Sequence, residues 1–102
     1  MNSQTSTFKM LIDGALVEGD QTMAVINPCT GRPFANSPRA SLRQMEQAIE
    51  AASRSFPAWS RSTMLVRRAL ILKIADLIEE HCQELARLLT QEQGKPLRDA
   101  QA

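Results

Sequence analysis

Phe34-Ala35-Asn36-Ser37-Pro38-Arg39-Ala40-Ser41-Leu42-Arg43-Gln44-Met45 decides the class of fold, because the chain changes its periodicity within it. Phe34 to Ser37 follows an extended path, and Pro38 closes that path by withholding a backbone donor. Ser41 then opens a helix. Its hydroxyl can accept from the Gln44 amide while the Gln44 side chain reaches back to the Ser41 N–H, the reciprocal pattern of a capping box. Strand is therefore expected before residue 38 and helix after residue 41, an α+β arrangement.

Upstream of that switch, Thr22 to Ile26 is β-prone and Asn27-Pro28-Cys29-Thr30-Gly31 is a turn, which predicts a hairpin returning through Phe34. Pro33 removes a donor at the start of the returning strand, so this strand is expected at an edge or frayed. Earlier still, Phe8 to Ile12, the turn pair Asp13-Gly14 and Ala15 to Val17 predict a first hairpin with a type I′ turn. The β-hairpins occupy residues 8–37, and the polar stretch MNSQTST (1–7) is expected to be a disordered tail.

Downstream, Leu42, Met45, Ala48, Ile49, Ala52 and Phe56 fall on one helical face, with Arg43, Glu46, Gln47, Glu50 and Arg54 outside it. Pro57 is expected to end that helix, leaving Trp59 in a connector. There its ring would cap the end of the first helix against the second, filling space that Phe56 and Leu65 leave open, so that Trp59→Ala costs about 3 kcal/mol in the larger protein of which this chain would be the front. Ser62 or Thr63 offers the next N-cap, and apolar residues dominate from Met64 to Leu89. Between Ala69 and Ile78 they occur nearly all round, interrupted by Lys73 and Asp76. Such a helix needs cover on most sides, more than one amphipathic helix and two small hairpins can supply. His81 falls on the apolar side, which predicts a kink or break near 80–82. Gly94 supplies a left-handed stop, Pro96 forbids continuation, and a new helical turn opens at Leu97. That turn has no stop signal before Ala102, so the chain is expected to be the front of a larger protein.

Composition narrows the function classes. Of the 102 residues 43% are hydrophobic and 23% charged, and twelve Lys and Arg stand against eleven Asp and Glu for a net charge of +1. Such a balance disfavours a nucleic-acid or anionic-membrane partner. No apolar run approaches a membrane span, and MNSQTST lacks the features of a secretory signal or transit peptide, so the location is expected to be cytoplasmic. Cys29 and Cys82 stand without CxxC spacing, which argues against a zinc site or disulfide framework and for reduced thiols.

Few residues invite a chemical reading. Cys29 sits in a turn with no adjacent base to activate it, and Cys82 lies on an apolar helical face as a small hydrophobe would. His81 with Glu80 and Glu84 is read as a helix-boundary group, not a metal or acid–base site. Arg67, Arg68 and Lys73 are offset by Asp76, Glu79 and Glu80, and no glycine-rich loop precedes them. Gly94-Lys95 lacks the frame of a phosphate-binding loop and is a helix stop. No catalytic, cofactor-binding or metal-ligating residue is assigned within the chain.

Several blocks together carry a resemblance. Leu11-Ile12-Asp13-Gly14, Val25-Ile26-Asn27-Pro28-Cys29-Thr30-Gly31, Phe56-Pro57-Ala58-Trp59-Ser60, Ile74-Ala75-Asp76-Leu77-Ile78-Glu79-Glu80 and Leu88-Leu89-Thr90-Gln91-Glu92-Gln93-Gly94-Lys95-Pro96-Leu97 occur in one order and at one spacing. With Arg67 and Glu84-Leu85, they resemble the N-terminal segment of the NAD(P)-dependent aldehyde dehydrogenases. Asp13, Leu16, Cys29 and Pro33 depart from the common pattern, all within the hairpins.

The resemblance implies a larger protein with a Rossmann-like α/β cofactor domain, a catalytic α/β domain and an oligomerisation strand, assembled as a homo-oligomer. It implies oxidation of an aldehyde to a carboxylic acid with NAD or NADP through a cysteine thioester, and hydrolysis assisted by a glutamate. Those groups lie in motifs beyond residue 102, so the chain alone is expected to be inactive and to bind no dinucleotide. Within the implied fold the helices pack outside the cofactor-domain sheet and the hairpins cover an edge. In some members the carbonyls of the residues matching Val25 and Ile26 help hold a monovalent cation, whose acidic partner would fall at or past the present end. The alternative is a stand-alone α+β interaction or dimerisation module without catalysis.

Overall fold

The computed structural model describes residues 6–102. The strands are β1 (Ser6–Thr7), β2 (Met10–Ile12), β3 (Ala15–Val17), β4 (Gln21–Asn27) and β5 (Arg32–Arg39). The helices are α1 (Leu42–Ser60), α2 (Met64–Glu80), α3 (Cys82–Gln93) and α4 (Leu97–Ala100). Two small sheets precede the helices, so the α+β reading holds. β1 lies inside the stretch expected to be disordered, paired in parallel with β5, and the rest of that stretch, 1–5, falls outside the described residues.

Both hairpins form where the turn residues put them. Asp13 and Gly14 take φ of 52° and 75°, the double positive φ of a type I′ turn, and Leu11 faces Leu16 across β2 and β3. In the second hairpin the Asn27 carboxamide oxygen accepts from the Cys29 N–H at 2.9 Å, and the Asn27 carbonyl accepts from Gly31 at 2.8 Å.

The proline expectations need correction. β5 is the central strand of its sheet, between β1 and β4, and it continues through Pro38 to Arg39. The sheet tolerates its two prolines because β1 pairs only with Ala35 and Asn36, opposite neither of them. On the β4 side, Val25 faces Ala35 while Ile26 faces Pro33, so Phe34 is an extra residue and Pro33 sits beside a bulge.

Pro57 likewise lies within α1, and Trp59 is helical. The proline withholds the one N–H that would have bonded the Ser53 carbonyl, and separately the last carbonyls of the helix find side-chain partners. The Ser60 hydroxyl donates to the Pro57 carbonyl at 2.8 Å and the Ser62 hydroxyl to the Trp59 carbonyl at 2.6 Å. Thr63 caps α2, its hydroxyl accepting from the Val66 N–H at 3.3 Å. The break falls at His81, which ends α2 and opens α3, and Gly94 stops α3 with φ 78°.

Little of this surface is covered. Among the described residues the buried ones are Ala35, Gln44, Ala51 and Ala86, none of them a large hydrophobe. On α1 the expected apolar face stands open, with Leu42 73% exposed and Met45, Ile49 and Phe56 also exposed. The helix turns the small side chains of Ala48 and Ala51 toward the β2–β3 hairpin, while Leu42 and Met45 line an open groove with Met10, Leu11 and Ile12. All of α2 except Arg67 is exposed. The radius of gyration is 17.2 Å, against roughly 13 Å for a compact domain of this length.

Candidate functional site

The most developed polar cluster sits at the junction of β5 and α1. Gln44 is 5% exposed, and its side chain makes three hydrogen bonds to the backbone. Its amide nitrogen donates to the Glu18 carbonyl at 2.8 Å, and its oxygen accepts from the Asp20 N–H at 2.9 Å and the Ser41 N–H at 3.2 Å. One side chain thus ties the link between the hairpins to the first turn of α1. The Ser41 hydroxyl accepts from the Gln44 N–H at 3.2 Å, completing the capping box, and donates to the Asp20 carboxylate. The Arg43 guanidinium lies 3.4 Å from the same carboxylate oxygen. The Ser41 hydroxyl, aided by Arg43, holds the Asp20 carboxyl below its ordinary range against a smaller opposing effect of desolvation. Gly19 completes the knot, because an added Cβ would meet the Gln21 carbonyl at 2.6 Å and the Arg39 N–H at 2.7 Å.

This arrangement bears on dinucleotide binding. A pyrophosphate seat needs free N–H groups at a helix N-terminus and a glycine-rich approach from the preceding strand. At the β5–α1 junction the intervening residues are Ala40 and Ser41, and the chain's own Asp20 carboxylate lies at the helix start. A phosphate there would meet a fixed negative charge. Gly14 and Gly31 belong to hairpin turns, Gly19 to the knot and Gly94 to a helix stop. The β5–α1 junction does not fit a pyrophosphate.

The structure disperses the other groups singled out in the sequence. Cys29 is exposed in its turn, and the Cys82 thiol donates weakly to the Gln101 carbonyl at 3.8 Å. Among the described residues neither thiol is hydrogen-bonded to a base. His81 Nδ1 lies 3.5 Å from Glu84 across one turn of α3, an exposed pair at the helix break. The described residues hold no group of three or more His, Cys, Asp and Glu able to bind a metal ion. Val25 and Ile26 flank the slip in the β4–β5 ladder. None of these groups converges on another to make a catalytic constellation.

Arg67 has a role that its charge alone did not reveal. Its guanidinium donates to the Trp59 and Ser60 carbonyls, each at 3.0 Å, and to the Ser62 hydroxyl at 3.1 Å. It lies 5.7 Å from the centre of the Trp59 ring. Arg67 therefore caps the end of α1 from the first turn of α2 and covers one face of the indole. Trp59 remains 45% exposed, and Phe56 and Leu65 are more exposed still, so the expected filling of space beside them is replaced by this cap.

The largest feature is apolar. Ile71, Ile74 and Ile78 are 64%, 56% and 55% exposed along α2, with Leu70, Leu72 and Leu77 open beside them. A helix so bare presents a surface for docking and no reactive group. No helix among the described residues is long and apolar enough to cross a membrane.

Comparison with known proteins agrees with this geometry. A family model described as the aldehyde dehydrogenase family matches residues 16–102. The chain is 39% identical over 102 residues to the mitochondrial methylmalonate-semialdehyde/malonate-semialdehyde dehydrogenase (acylating) of Rattus norvegicus, covering 98% of this chain and 19% of that one. It is 44% identical over 91 residues to the 3-sulfolactaldehyde dehydrogenase of Pseudomonas putida, covering 87% of this chain and 19% of the relative. The crystal structure of an NAD-dependent aldehyde dehydrogenase from Sinorhizobium meliloti superposes with a TM-score of 0.89 at 33% identity, over 95% of this chain and 20% of that one. The chain thus spans about a fifth of the length of the curated relatives it matches.

Proposed function

The chain belongs to the aldehyde dehydrogenase family, and from that premise we propose that it forms the N-terminal structural segment of an enzyme that oxidises an aldehyde to a carboxylic acid with NAD or NADP. The observation that carries this reading is the match of nearly the whole chain to one fifth of enzymes that bear dehydrogenase names. The open apolar surface of α2 supports it, since a helix of that composition requires cover that the described residues do not supply.

In this reading the chain contributes architecture. The Gln44 knot fixes the hairpins to α1, Arg67 fixes α1 to α2, and α2 offers its apolar surface to an adjoining Rossmann-like α/β cofactor domain. The thiol that would form a thioester, the base that would direct water and the dinucleotide seat belong to other segments of the enzyme. Cys29 and Cys82 take no part. The reading includes a homo-oligomeric enzyme, a cytoplasmic location consistent with two unpaired cysteines, and no nucleic-acid or membrane partner.

A chimera tests it. Residues 16–102 replace the matching segment of the Sinorhizobium meliloti enzyme, and aldehyde-dependent reduction of NAD is followed by nicotinamide absorbance. Retained turnover in the chimera, with none from the 102-residue chain alone, is the expected result. A chimera that folds but has lost turnover, or turnover by the chain alone that Cys29→Ser or Cys82→Ser abolishes, contradicts the reading.

A further inference from the structure

We draw no further inference here: the strongest candidate, the exposed apolar face of α2 along Leu70, Ile71, Ile74 and Ile78, carries none because nothing in the structure shows what covers it.

Discussion

Gln44 joins three backbone groups with one carboxamide, and its truncation therefore leaves more than a gap. In Gln44→Ala the Glu18 carbonyl and the Asp20 and Ser41 N–H groups lose their partner, at an expected cost of about 2–3 kcal/mol in urea unfolding. An unchanged midpoint would show that water replaces the side chain without penalty. Asp20 adds a pH dependence. Its folded-state pKa is lowered, so its contribution is present above the unfolded value near 3.8 and is lost as pH falls through the lower folded value. Asp20→Asn is expected to flatten the acid limb of stability below pH 3.8, and an identical limb in the variant would remove the carboxylate from the account. At this scale the sequence was legible only locally. The Ser41–Gln44 box lies within one turn and can be read directly, but Gln44's partners Glu18 and Asp20 lie 26 and 24 positions back, where only the fold brings them near. Gly19 is constrained partly by the Gln21 carbonyl two residues on and partly by Arg39 across a chain reversal, and that second part gave no signal for the same reason.

Elements obeyed their own punctuation where that punctuation was self-sufficient. The type I′ turn at Asp13-Gly14, the Thr63 cap, the break at His81 and the Gly94 stop each depend on residues within a few positions, and each was readable. Proline misled because its cost depends on whether the missing donor was needed. Pro33 lies at a bulge, Pro38 faces no β1 residue, and Pro57 withholds a single bond within the last turn of α1. Arg67 caps the end of the same helix. Arg67→Ala is expected to cost about 1–2 kcal/mol, since its hydrogen bonds are charge-assisted but partly solvated, and to raise quenching of Trp59 fluorescence by iodide. Equal quenching in both proteins would deny the cap over the indole. Trp59→Ala in the 102-residue chain should cost about 1 kcal/mol, below the value for a buried ring, because nearly half of its surface is already open.

For the molecule as a whole, the all-round apolar pattern from Ala69 to Ile78 was legible as a demand for cover, and the bare α2 is that demand left unmet. What could not be read was the partition of the α1 surface, because a hairpin of two three-residue strands packs on Ala48 and Ala51 and leaves Leu42 and Phe56 exposed. With three alanines and one glutamine the only residues buried among those described, the chain should bind a hydrophobic dye and unfold over a broad thermal range. A sharp, cooperative transition in a dilute monomer would contradict that expectation.

The central claim is that a segment of the aldehyde dehydrogenase fold supplies architecture and no dinucleotide seat, because the β5–α1 junction is closed by the Asp20 carboxylate and the Gln44 side chain. Calorimetric titration of NAD and of NADP into the purified 102-residue chain tests it most directly. The account predicts heats indistinguishable from dilution for both dinucleotides. Saturable binding of either one, weakened by substitution at Ser41 or Arg43, would contradict it and return the cofactor to this segment.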